Sequence, residues 1–241
     1  MLRGKRKWFL IGIPVAILVL AVLGPFVYIH FIQSDPPPKL TLDTSSSSSA
    51  SSSSASGASS ASSAAPTGSV DGTWTATSDS IVGYRVKEVL LGQDTEAVGR
   101  TSSVAGTFTL SGTTVSGAEF TVQMATVKSD EDRRDGQFTG RIMETSKFPT
   151  GTFKLTSPIT LSAVPTDSTV VEATATGDLT LHGVTKSVTF SLSAKRDGST
   201  VKVNGQIPIT FSDYDISNPS NQTASVGDSG TLEFLLVLSQ S

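Results

Sequence analysis

The chain has 241 residues, a formal net charge of −3 and no cysteine. The missing cysteine excludes disulfides, thiolate zinc sites and attachment through a lipidated N-terminal cysteine. Arg3, Lys5, Arg6 and Lys7 all fall in the first seven residues. The remainder is therefore acidic, without the Lys/Arg surplus on which nucleic-acid affinity depends.

The first element is the run 8–32, which contains no Asp, Glu, Lys or Arg. A hydrocarbon core of about 30 Å needs roughly 20 apolar residues as a helix, so this run is long enough to span. Cations precede it and no comparable cluster follows closely. The positive-inside rule therefore keeps residues 1–7 cytoplasmic and sends the rest outward. A cleaved signal peptide is the alternative, but its apolar region is about 7–15 residues long and ends at small residues. Phe26, Tyr28 and Phe31 are poor surroundings for such a site. The expectation is a single-pass cell-membrane protein with an uncleaved transmembrane helix and an extracytoplasmic domain.

Residues 33–69 read as a disordered linker. Consecutive prolines break any helix at 35–38. From 44 to 65 the chain is almost entirely Ser and Ala, with too little apolar area to offset backbone entropy. A flexible spacer and a sugar-bearing stalk are the two readings. Asn221-Gln222-Thr223 fits the N-glycosylation pattern.

Residues 70–239 are long enough for one domain with a real core. Period-two alternation recurs through it: Tyr84 with Val86, Phe108 with Leu110, Phe120 with Val122 and Met124, Phe153 with Leu155, and Leu179 with Leu181. Val188, Phe190 and Leu192 follow, then Val201 with Val203, Ile207 with Ile209 and Phe211, and Leu232 with Phe234, Leu236 and Leu238. Ser111-Gly112, Ser116-Gly117, Asp197-Gly198 and Asn204-Gly205 read as turns between them. About eight antiparallel strands with one apolar face imply a barrel or a two-sheet sandwich. The stretch 129–148 breaks the rhythm. Ser129 with Asp130, Glu131 and Asp132 looks like a helix start, and Phe138 and Ile142 lie one turn apart with Met143 beside them. A short helix or lid here would close one end of a barrel, stopping at Phe148-Pro149.

No catalytic constellation is present: no nucleophile elbow, zincin helix or phosphate loop. His182 is the only histidine beyond the apolar run and reads as a structural residue at a hairpin beside Gly183. The expectation is a non-enzyme with no metal and no cofactor. Arg134 and Asp178 are the polar candidates. Arg134 either supports a helix cap or turns inward to a ligand head, and Asp178 either lines the mouth or pairs with an arginine across it. The aromatics Phe108, Phe120, Phe138, Phe148, Phe153, Phe190 and Phe211 read first as core. An eight-stranded barrel also has room for a small ligand, so some of these rings could line an apolar tunnel. Tyr214, in Asp213-Tyr214-Asp215, reads as an anchored turn residue.

Three blocks then point to a family. Gly177-Asp178-Leu179-Thr180-Leu181-His182-Gly183-Val184-Thr185-Lys186 resembles the G-D-L-T-[IL]-H-G-V-T-[KR] signature of YceI-like proteins. Arg134-Asp135-Gly136-Gln137-Phe138 followed by Lys147-Phe148-Pro149 resembles that family's R-D-x-x-[LF]…[YF]-P block. Gly106-Thr107-Phe108-Thr109-Leu110-Ser111-Gly112 falls where the family has its F-x-G-x-[ILV] strand. The resemblance implies an all-β, eight-stranded lipocalin-like barrel holding an isoprenoid or other long-chain lipid. Arg134 and Asp178 would then fix the ligand head, Phe138, Met143 and Phe148 would form the entry side, and Ile142 and Tyr214 would be among the ligand contacts. Phe108, Phe120, Phe153, Leu179, Leu181, Phe190 and Phe211 would line the tunnel. The family often carries a His-Ser pair before its first strand and a second His after it. Ser78-Asp79-Ser80-Ile81 and Arg85-Val86-Lys87-Glu88-Val89 occupy that region here. A surface module with a side-chain-filled barrel, binding protein or cell-wall polymer, is the rival reading.

Overall fold

A computed structural model describes residues 36–44, 70–90, 92–167, 169–220 and 224–241. The basic tail, the apolar run 8–32, the Ser/Ala tract and Asn221-Gln222-Thr223 lie outside these residues. Among the described residues no helix is long and apolar enough to cross a membrane.

Twelve strands form one sheet that closes on itself. They are β1 Gly72–Ala76, β2 Ile81–Leu90, β3 Gln93–Thr101, β4 Val104–Ser111, β5 Thr114–Gln123, β6 Thr150–Leu155, β7 Ile159–Thr160, β8 Val171–Leu181, β9 Val184–Asp197, β10 Thr200–Thr210, β11 Ala224–Val226 and β12 Ser229–Gln240. Two pairs of these are stretches of single rails. β1 and β2 both lie along β12, with Trp74 opposite Gln240 and Ile81 opposite Leu235. β3 and β4 lie in turn along β2 and β1. The result is an up-and-down antiparallel barrel of eight rails, closed where the last strand meets the first. A barrel leaves no open edge, so almost every ladder group is paired.

Alternation puts one side chain of each pair into the barrel. Tyr84 and Val86 face inward from β2, while Arg85 faces outward to Glu96 and Glu233. The sequence pattern missed β1 and β3. The segment QDTEAVGRT carries little apolar alternation, because its outer face is built of Glu96 and Arg100.

Two turn assignments need correcting. Asn204-Gly205 lies inside β10, which runs unbroken through both residues. Ser116-Gly117 lies inside β5, at a bulge where the register against β4 shifts between Thr109 and Leu110. Both glycines serve packing or bulging inside a strand rather than a chain reversal. The other two turns stand: Gly112 and Gly198 have φ of +57° and +60° between paired strands.

The break at 129–148 is a helical cap. A short helix, α1 (Asp132–Gln137), runs into a π-helical turn over Phe138–Ile142. Asp135 is buried and accepts from the Ser129 backbone N–H and hydroxyl, each at 2.8 Å, so the helix start is pinned from within. Phe138 and Met143 are buried beneath it.

The linker assignment over 33–69 also needs correcting, for residues 36–44. These dock on the outer wall of the barrel. Leu40 is 2% exposed and packs with Leu235, Val237, Ile81 and Leu42 in a second core outside the sheet. Burying such a leucine contributes roughly 1.5–3 kcal/mol. Beside it lies a buried charge cluster. Glu233, 1% exposed, receives Arg85 Nε at 3.3 Å and Arg100 Nη2 at 2.7 Å, and Arg85 also reaches Glu96 at 2.6 Å. The docked segment completes it: Arg85 donates to the Pro37 carbonyl at 2.7 Å and Arg100 to the Pro38 carbonyl. Asn204 Nδ2 donates to the Leu40 carbonyl at 2.8 Å.

Candidate functional site: an apolar tunnel with one charged mouth

The barrel encloses a cavity of about 550 Å³, which falls in the usual size range for ligand sites. Its wall is formed by the inward residues of the strands and is almost wholly apolar. The charged residues on the wall are Glu88, Glu131, Arg133 and Arg134, all at the end covered by α1. Glu131 and Arg133 are also the lining residues that are exposed. That end is the mouth.

The lumen is open because its rings lie flat against glycines. A Cβ on Gly99 would fall 2.4 Å from the Tyr84 ring, and one on Gly106 2.4 Å from the Phe120 ring. On Gly177 it would meet Phe153 at 2.5 Å, and on Gly205 it would meet Phe234 at 2.4 Å. Three of these pairs are direct cross-strand partners: Tyr84 with Gly99, Phe120 with Gly106 and Phe234 with Gly205. At Gly99 and Gly205 the ring is the nearest obstacle, so a side chain there would tip it into the centre; at Gly106 and Gly177 the Glu119 and Lys154 carbonyls lie as close, at 2.2 and 2.5 Å, and the backbone would have to shift too. Phe190 sits edge-on between Phe153 and Phe234, with centroids 5.4 and 5.8 Å away. Such edge-to-face pairs fix the rings against the wall.

At the mouth, Arg134 ties the lid to the barrel. Its guanidinium meets Glu88 of β2 at 3.1 Å and Asp130 before α1. Partial burial works against the charged form, but Glu88 and Asp130 outweigh it and hold the guanidinium above its ordinary pKa. Below this pair, Tyr84 stacks on Phe138 at 5.2 Å and 14°. Burial first, with the nearby carboxylates assisting against Arg134, pushes the Tyr84 phenol up to about 12. The opposite end is closed by Trp74, which stacks on Phe108 at 6.2 Å and donates its indole N–H to the Val70 carbonyl at 2.9 Å.

A second polar group holds the rim at the mouth end. The His182-Gly183 turn joins β8 to β9 with φ of +50° and +79°, the conformation of a tight type I′ hairpin. His182 Nε2 lies 3.0 Å from Glu144 and Nδ1 3.3 Å from the Tyr214 carbonyl, and the ring packs edge-on to Phe148 at 4.5 Å. No nucleophile is among these contacts, and they act as a clasp between the hairpin, the lid and the turn after β10.

The structure gathers most of the expected site residues. Phe108, Phe120, Phe138, Ile142, Met143, Phe153, Leu179, Leu181, Phe190 and Phe211 line the tunnel, and Arg134 stands at its mouth. Three residues are placed elsewhere. Asp178 lies on the outer face of β8, opposite Lys154 in the register, because β8 turns Gly177 and Leu179 inward. Phe148 packs on His182 and Gly183 outside the lumen. Tyr214 is buried behind the wall, its hydroxyl without a partner among the described residues. Sequence reasoning missed Glu88, Arg133 and Phe234 on the wall. Alternation placed Phe234 on an inward face, and Glu88 shares the parity of Tyr84 and Val86, so both signals were in the pattern.

The family model for YceI-like domains matches residues 44–238. A polyisoprenoid binding domain from Saccharophagus degradans, implicated in plant cell wall breakdown, is similar over 71% of this chain and 99% of its own, at 14% identity and a TM-score of 0.56. Burkholderia cenocepacia BcnA is similar over 67% of this chain and 98% of its own, at 17% identity and a TM-score of 0.53. At these identities the likeness concerns the fold. The comparison with curated proteins returned no match.

Proposed function

The chain belongs to the YceI-like domain family, and on that premise we propose that it is a membrane-tethered, extracytoplasmic carrier of an isoprenoid or similar long-chain lipid. The supporting observation is the tunnel: about 550 Å³, apolar along its length and charged at one end only. An apolar lumen with charge at one end suits a chain with a polar head, which would rest at the mouth among Glu88, Arg133, Arg134 and Gln137. At the ~30 Å³ share of one water per methylene, the lumen holds about 18 carbons. The rival reading needs a lumen filled by side chains, which the cavity does not favour.

The mechanism is solvation. Each methylene removed from water gains roughly 0.8 kcal/mol, so a chain in the tunnel does not return to water. A bilayer offers the same gain. Exchange between tunnel and membrane is then close to balanced, which is what storage, transfer or shielding of a lipid requires. Phe138 and Met143 form the entry side. Their replacement by Asp should lower lipid occupancy in a chain that still folds.

The test is native mass spectrometry of residues 33–241, followed by denaturation, extraction and identification of any released lipid. One long-chain lipid per chain supports the carrier. A barrel that stays empty after incubation with membrane lipids overturns it.

A further inference from the structure

The docked segment 36–44 has a direction, and the direction orients the barrel. Its N-terminal part meets the middle of β2: the Pro37 carbonyl accepts from Arg85, the fifth of ten residues in a strand that continues past Glu88 at the charged rim to Leu90, and Arg85 is level with Thr231 in the mouth half of β12. Its next part lies farther from the mouth. Leu40 packs on Leu235 and Val237, and Leu235 pairs with Ile81 at the opposite end of β2. From Pro37 to Leu40 the chain therefore runs along the wall away from the mouth. When it is next described, at Val70, it is bound to Trp74 at the closed end.

We propose that this strap, rather than the Ser/Ala tract, links barrel to bilayer, and that it holds the barrel with its mouth toward the membrane surface. The inference rests on the reading of 8–32 as a membrane span. Five Cα steps separate Ile32 from Pro37, so the docked strap keeps Pro37 within about 18 Å of the end of the apolar run. Were 33–69 one free leash, its root-mean-square span would be about 35 Å and its full extension about 130 Å. With the strap in place, residues 45–69 join two points on the same barrel and form a closed loop. Their length sets nothing about reach. A lipid leaving the bilayer would then meet the mouth directly, with no long water crossing.

The strap is built to stay. It carries the carbonyls that complete the Arg85–Glu233–Arg100 cluster, and it covers Leu235 and Val237, which would otherwise face water. Both prolines whose carbonyls are used have little conformational freedom to lose on docking.

The chain has no native cysteine, so single labels can be placed on the full-length protein in lipid vesicles. Ser217→Cys marks the mouth end and Ser199→Cys the turn after β9 at the far end; both positions are exposed. Each is labelled with a fluorophore, and quenching by headgroup-nitroxide lipids is measured. The expected result is quenching severalfold stronger at Ser217→Cys. A Gly-Ser insertion of about ten residues between Ser34 and Asp35 should abolish the difference, because it lengthens the true leash. Deleting about ten residues from 45–65 should leave it unchanged, because that segment is a loop. Equal quenching at both labels, or sensitivity to the deletion and not to the insertion, overturns the strap. Failure of the chain to remain with vesicles after alkaline washing overturns the membrane span on which it rests. Lipid occupancy of residues 33–241 is read separately, so the carrier reading stands or falls on its own.

Discussion

Gly205→Ala tests the idea that glycines keep the lumen open. The new Cβ would sit 2.4 Å from Phe234 Cζ, 2.9 Å from Cε1 and 3.2 Å from the Ser191 carbonyl oxygen. The carbonyl belongs to a paired strand and is fixed, whereas the ring is the end of a flexible side chain. The ring must lift, and the open direction is the lumen. Its six carbons, at the ~30 Å³ share of a water each, amount to about 180 Å³, a third of the 550 Å³ cavity. If half of that volume enters, about three methylenes are displaced. At roughly 0.8 kcal/mol each the loss is about 2.4 kcal/mol. Affinity for a chain that fills the tunnel should fall roughly 50-fold. Affinity for a chain shorter by a few carbons should hardly change. Stability should fall little, since overpacking costs about 1–3 kcal/mol and Gly→Ala in a strand returns about 0.5–1 kcal/mol. The assay is competition binding across a ladder of prenyl alcohols, with Gly205→Ala/Phe234→Leu as the restoring variant. Unchanged affinity for the longest binder in folded Gly205→Ala would refute the role given to the glycines.

Two further outcomes concern stability. Glu233→Ala leaves the buried Arg85 and the half-buried Arg100 without the acid they share, and should cost about 3 kcal/mol in a urea titration. A loss under about 1 kcal/mol would mean the cluster is not buried as described. Tyr84 sets an alkaline limit. Its phenol is neutral in the fold until about pH 12 but ionises near 10 when unfolded. The native state thus holds its proton longer, and stability should be flat below pH 10. It should fall by up to about 3 kcal/mol as pH rises from 10 to 12. Tyr84→Phe should flatten that decline, and an unchanged decline would assign it to other groups.

The barrel was legible because inward residues recur at every second position, as in Val188, Phe190 and Leu192. The tunnel residues followed from the same parity. Residues outside that pattern were harder to place. Asp178 shares a motif with Leu179 but has the opposite parity, so closeness in sequence put it on the wrong face. Phe148 and Tyr214 are apolar enough to line a lumen and equally suited to pack behind it, and only the fold decides. Asn204-Gly205 has the composition of a turn. Its actual use, a donor to the strap and a bed for Phe234, depends on strands 30 residues away. The strap left one trace: Leu235 and Val237 make β12 apolar on both faces, and a strand with two apolar faces needs a cover on each.

The closing seam is made by β12, the last strand, with β1 and β2, the first two. During synthesis every other rail can pair with a neighbour already made, but the ring stays open until β12 emerges. A chain cut before Ser229 would present two raw sheet edges and an apolar trough, the kind of surface on which strands of different molecules join. Cargo cannot be enclosed by the growing chain. On the carrier reading, loading would then follow completion of the ring, and the newly made barrel would be empty.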